Sequence, residues 1–160
     1  MIQRRWFAAG LVLAACGGGG AGSPPVHPET SATTAVQSFM QAVADSNLAK
    51  MASLWGSNSG PASKTHQPSD YERRIVIMQS YLRNDDSRIA SDTPDSPPTK
   101  HSVQVEIRRS ACTWTVPFVV IRLSDGSWLV NQVDIGAAGN PARPCAPSAA
   151  PSAGDSTTQR

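Results

Sequence analysis

Thr113-Trp114-Thr115-Val116-Pro117-Phe118-Val119-Val120-Ile121-Arg122-Leu123-Ser124-Asp125-Gly126-Ser127-Trp128-Leu129-Val130 reads as two β-strands and the turn between them. Thr, Val, Ile and aromatic side chains fill Thr113 to Leu123, and these pack best on a pleated surface. Asp125-Gly126 supplies a two-residue hairpin loop that needs positive φ, after which Trp128 to Ile135 runs back. Just upstream, Val103, Val105 and Ile107 alternate with Gln104, Glu106 and Arg108, the period of a half-buried strand. Ser110-Ala111-Cys112 is the turn between that strand and the next. The expectation is three antiparallel strands in meander order.

The hairpin register can be tested against the apolar pattern. With Asp125-Gly126 as the loop, Ser124 faces Ser127 and Leu123 faces Trp128. Near the turn, one face then carries Ile121, Leu123, Trp128 and Val130; farther away the opposite face carries Val116, Phe118, Val133 and Ile135. Either a bulge near Pro117 changes the parity, since proline cannot donate to a ladder, or both faces are partly covered. The second arrangement leaves a sheet face for a second subunit, a homodimer contact.

Helical periodicity precedes the strands. Thr30 or Ser31 can cap a helix in which Val36, Phe39, Met40 and Val43 recur at i, i+3, i+4 and i+7. Asp45-Ser46-Asn47 interrupts it, with Asn47 as the next N-cap. Leu48, Met51, Ala52 and Trp55 repeat the spacing, and Gly56 is expected as the C-cap. Gly60-Pro61 marks a turn. Ser69 and Glu72 fit a capping box for a third helix, with Tyr71, Ile75, Met78 and Leu82 on its buried stripe as far as Arg83. Asn84 to Lys100, with Pro94, Pro97 and Pro98, reads as a long polar loop. Helices followed by an antiparallel sheet make an α+β fold.

The ends of the chain have a different composition. Arg4 and Arg5 precede the apolar run Trp6 to Leu13, which is too short for the ~20 residues of a membrane span. Leu13-Ala14-Ala15-Cys16 resembles the lipobox of bacterial lipoproteins. That resemblance implies cleavage before Cys16, acylation of Cys16 and an otherwise soluble protein held on a membrane. Residues 1–15 are then a signal peptide and residues 16–29 a Gly/Ser/Pro tether. Residues 30–145 are the folded domain, and residues 146–160 an Ala/Ser/Pro/Thr tail. Gly17 stands where an aspartate would favour inner-membrane retention, which points to the periplasmic side of an outer membrane or to the cell surface.

The processed chain loses Arg4 and Arg5 and no acid, leaving 12 basic and 12 acidic side chains from the original 14 and 12. A neutral chain has no electrostatic footprint for nucleic acid. Apart from the acylated Cys16, the cysteines are Cys112 and Cys145, an even pair in an oxidising compartment. A bridge between them would close a 33-residue separation worth roughly 3–4 kcal/mol in the loop-entropy model; two free thiols are the alternative.

Leu54-Trp55-Gly56 and Asp125-Gly126-Ser127-Trp128-Leu129-Val130, on this α+β order, resemble the nuclear-transport-factor-like superfamily, also called ketosteroid-isomerase-like or cystatin-like. The resemblance spans about Thr33 to Ile135. It implies N-terminal helices packed on a curved antiparallel sheet, a cone with a pocket. Members include isomerases, dehydratases and binding modules, so the fold alone does not give the function. Catalysis of the isomerase type needs a carboxylate base in an apolar pocket and an oxyanion donor. Asp134, Glu106 and Tyr71 are the weak candidates, with Tyr81 a second tyrosine, and none matches a family catalytic position.

His27, His66 and His101 lack metal-ligand spacing, and no phosphate-loop, dinucleotide or nucleophile-elbow motif occurs. No metal or cofactor is therefore expected. The reading is a lipid-anchored envelope protein with a small-ligand or protein-binding module. An isomerase or dehydratase, or an assembly protein working through its sheet face, are the alternatives.

Overall fold

Ser31 opens the first helix. Its hydroxyl accepts the Thr34 N–H at 3.1 Å while the Thr34 hydroxyl accepts the Ser31 N–H, also at 3.1 Å, so two otherwise unpaired amides are satisfied reciprocally. In the computed structural model, which describes residues 29–143, this helix, α1, spans Ala32–Ala44. Val36, Phe39, Met40 and Val43 are all buried, as their spacing requires. Asn47 caps α2 (Leu48–Leu54) by accepting the Lys50 N–H at 2.9 Å.

Two short strands follow, β1 (Gly56–Ser57) and β2 (Gly60–Pro61), then α3 (Ala62–Thr65) and α4 (Tyr71–Leu82). The main sheet is β3 (Asp86–Pro94), β4 (Lys100–Arg109), β5 (Cys112–Arg122) and β6 (Trp128–Val133), closed by a 3-10 turn over Ile135–Ala138. Its order is β3-β4-β5-β6, antiparallel throughout.

The sheet has four strands rather than three, because the segment read as a polar loop from Asn84 to Lys100 contains β3. It lacks a strand signature because it is an edge strand, with Ile89 its only large apolar side chain. Its backbone pairs with β4 from Asp86↔Arg108 to Pro94↔His101, and the extra residue Ala90 makes a bulge. Polar side chains, a bulge and a terminal proline also protect a free edge from pairing with other chains.

Both hairpin expectations are refined. Leu123 N–H donates to Ser127 C=O at 2.8 Å, Gly126 N–H donates to Leu123 C=O at 3.0 Å, and Gly126 alone in the turn has positive φ, +87°. The loop is therefore the three residues Ser124–Gly126, with Gly126 in the conformation of a G1 bulge. The parity change is real but lies on the opposite strand from Pro117. Val120 faces Val130 whereas Val119 faces Gln132, leaving Asn131 as the extra residue. Asn131 uses its side chain to donate to Gly56 C=O at 2.8 Å. Val116, Phe118, Val120, Trp128 and Val130 thereby share the buried face, while Ile121 and Leu129 are buried on the other.

Three local expectations are corrected. Gly56 is not the C-cap of α2; that is Trp55, in extended conformation. A side chain at Gly56 would overlap the Gly60 carbonyl and come 2.9 Å from Pro61 Cα, so this glycine permits the close β1–β2 approach. Gly60-Pro61 is the return strand, and Asn58-Ser59 is the turn. Ser69 does not cap α4. The cap position is Asp70, without a side-chain cap bond, and its carboxylate pairs with Arg74 at 2.9 Å instead.

The helices lie on one face of the sheet. α1 touches all four strands, with Phe39 edge-on to Phe118 at 6.2 Å. α2 packs on α1, α3 and α4. Met51, Ala52 and Trp55 are buried, but Leu48 is not. Opposite the helices the sheet is mainly polar: Arg88 pairs with Glu106, and Gln104 and Thr115 share that face.

Candidate functional site

Among the described residues the domain interior holds no buried polar or charged side chain. Val103, Val105, Ile107, Val116 and Phe118 fill the space between the sheet and Phe39, Met40 and Met51, each nearly or wholly inaccessible. No carboxylate is buried among the described residues.

The three residues weighed for acid–base work lie on separate surfaces. Asp134, a candidate because a cone-shaped sheet could aim the end of its last strand inward, is exposed; it caps the 3-10 turn by accepting the Ala137 N–H at 3.3 Å. A polar residue following the last strand serves there to start the turn rather than to line a cavity. Glu106 points to the outer sheet face, paired with Arg88. Tyr71 opens α4, donates its hydroxyl to Glu72 at 3.1 Å and lies edge-on to His66 at 5.9 Å. Burial, then the Glu72 carboxylate, pushes its phenol above the ordinary value. Tyr81 contributes its backbone carbonyl to Arg109.

The arrangement closest to a catalytic dyad joins residues not paired in the sequence reading. His101 Nδ1 lies 2.7 Å from Asp92 Oδ1, and its ring meets Trp128 edge-on at 4.7 Å. The β3–β4 register creates this pair, since Asp92 and His101 are diagonal neighbours at the sheet end. An imidazole oriented by a carboxylate resembles part of a triad, but no serine, cysteine or metal ligand completes it on the described surface. No group of three metal-ligating side chains occurs among the described residues. His66 packs on Tyr71, and His27 and Cys16 lie outside the described residues.

Cys112, at the start of β5, is disulfide-bonded; its expected partner Cys145 lies outside the described residues. Beside it, Arg109 organises the end of the domain. Its guanidinium donates to the carbonyls of Arg83 (2.8 Å), Tyr81 (2.7 Å) and Ala138 (3.0 Å) and lies 4.9 Å from the Trp114 ring centre. Burial holds its pKa below the ordinary arginine value. All four contacts are internal, so this arginine is a structural clamp.

The more apolar grooves of the described surface lie around α4. One groove, about 420 Å³, runs between α4 and α2–α3 and is lined by Leu48, Ala49, Ala52, Tyr71, Ile75 and Val76. A second, about 410 Å³, separates α4 from β6 and is lined by Trp55, Arg74, Ile77, Met78, Asn131 and Val133. α4 is the ridge between them. A cleft of about 380 Å³ between α1 and β3 is more polar, with Gln37, Gln41, Asp86 and Arg88 on its walls. Sequence periodicity identified the buried side of α4 and passed over its solvent side, where Val76 and Ile77 were the available signal.

No protein-family model, curated protein or solved structure matches the chain. No helix among the described residues is long and apolar enough to cross a membrane.

Proposed function

We propose that this chain is a lipid-anchored cell-envelope protein whose domain is a binding module acting through its surface. Acylated Cys16 holds it on the membrane, on the periplasmic side of an outer membrane or at the cell surface. The helix pair α1–α2, the short hairpin, the long helix α4 and the four-stranded meander support a nuclear-transport-factor-like cone. In this chain the space enclosed by that cone is filled by apolar side chains. The observation that carries the binding reading is the contrast between that wholly apolar interior and the open grooves flanking α4. A pocket enzyme concentrates polar groups in its interior, whereas a docking module needs apolar side chains left outside.

The test combines labelling with complementation in a deletion strain. Cys16→Ser should abolish incorporation of labelled fatty acid and remove the protein from the membrane fraction; unchanged labelling refutes the anchor. Asp134→Asn and Glu106→Gln, both outside the α4 grooves and each folded and correctly localised, should complement fully. A general base would instead lose a factor of about 10²–10⁴ in rate, so a null phenotype from either refutes the binding reading.

A further inference from the structure

Beyond the last turn of α4 lies a cleft of about 490 Å³ that shares no lining residue with the grooves on either side of that helix. Arg83, Asp85 and Arg109 line it, and Pro141 and Ala142 form an apolar wall. A space of this size suits a small ligand. Arg83 leaves α4 with an extended backbone, ψ +132°, and the Asp85 N–H donates to Arg108 C=O at 2.8 Å as the chain enters the sheet. Residues two apart on an extended chain project to one side, roughly 7 Å from each other, which is how both side chains reach the cleft.

These charges face one space without neutralising one another. No salt bridge joins Arg83, Asp85 or Arg109 to any partner among the described residues. Asp85 is held instead by the Ser110 N–H, 2.7 Å from its Oδ2. Arg109 is held by its three carbonyls, so this wall is set before any ligand arrives. Among the described residues Arg83 enters hydrogen bonds only through its backbone, which leaves its guanidinium for a carboxylate, a group it can grip with two parallel bonds. Asp85 stands beside the C-terminal end of α4, where the helix dipole is negative and favours a cation. A lone carboxylate in the cleft would meet Asp85, and a lone amine would meet two guanidinium groups. Opposite charges held apart across one cleft complement a molecule that carries both.

We infer that this cleft binds a free α-amino acid with a small aliphatic side chain. Its carboxylate meets Arg83, its ammonium meets Asp85, and its side chain lies against Pro141 and Ala142. The inference depends neither on the lipid anchor nor on the grooves flanking α4.

The test is a titration of the full chain, isotope-labelled and kept in neutral detergent at neutral pH, followed by amide resonances in nuclear magnetic resonance spectra. The probes are alanine, propionate (no ammonium) and ethylamine (no carboxylate). Alanine should shift the amides of Ser80, Arg83, Asp85 and Ala142 and saturate in the millimolar range, as one hydrogen-bonded charge at each end supports. Propionate and ethylamine should each bind at least about tenfold more weakly, the loss of one charged hydrogen bond. Arg83→Gln should abolish the preference for alanine over ethylamine, and Asp85→Asn the preference over propionate. Both variants should keep the urea midpoint, because the Arg83 side chain makes no hydrogen bond in the fold and asparagine retains an acceptor for the Ser110 N–H. Propionate or ethylamine binding as tightly as alanine overturns the inference. So do unchanged preferences in a folded variant, or cleft amides that alanine does not move.

Discussion

Replacing Arg109 by alanine should destabilise the domain more than any other single change to an ionisable side chain among the described residues. Three carbonyls, from Tyr81, Arg83 and Ala138, converge on its guanidinium at 2.7–3.0 Å. Two belong to the end of α4, where the helix has no further amides to offer and where its dipole favours a cation. A hydrogen bond from a charged donor contributes about 1.5–3 kcal/mol, and such bonds on one group are not additive. Water can replace some of them at this half-buried site. Stacking on Trp114 adds about 0.5–1 kcal/mol. The expected loss is therefore about 2–4 kcal/mol, read as a lower urea midpoint at unchanged slope. Arg109→Lys should recover less than half, because one ammonium cannot present a planar fork to three acceptors. A loss below about 1 kcal/mol, or full rescue by lysine, would refute the clamp.

Gly56→Ala should cost roughly 1–3 kcal/mol, the usual range for overpacking, because the new methyl meets the Gly60 carbonyl, which is backbone and cannot rotate away; an unchanged urea midpoint would show that the β1–β2 approach is looser than described. Trp55→Ala, removing a side chain only 8% exposed, should cost about 3–5 kcal/mol, and a loss under ~1 kcal/mol would remove Trp55 from the core. Asp125 accepts from the Ser127 hydroxyl at 2.6 Å and amide at 2.9 Å, and these bonds hold its carboxyl below the ordinary 3.8. Since the folded value is the lower one, its contribution is present above 3.8 and lost as pH falls through the depressed value. The stability gap between wild type and Asp125→Ala should thus close in acid, and a gap that widens there would contradict it.

Val36-Phe39-Met40-Val43 and Val103-Val105-Ile107 were legible in the sequence because each buries one face, and a buried face writes its period of 3.6 or 2 into the chain. The caps at Ser31 and Asn47 were legible for the same local reason: a side chain can satisfy an amide three residues away without help from the rest of the fold. The α+β class and the composition that suggests an anchor also belong to the sequence. β3 was not legible, because an edge strand obtains its hydrogen bonds from a neighbour and needs no apolar alternation of its own. The loop of three residues at Ser124–Gly126, rather than two, was decided by pairing across the hairpin, and the bulge at Asn131 by the link to Gly56, 75 residues away. Asp134 was a candidate only through the resemblance to a cone-shaped sheet; β6 ends at Val133, and Asp134 caps the turn that follows. The partners of Arg109, the Asp92–His101 pair and the exposed stripe on α4 depend on which surfaces remain uncovered after packing. Local periodicity says that a face is apolar; only the tertiary structure decides whether anything in the same chain covers it.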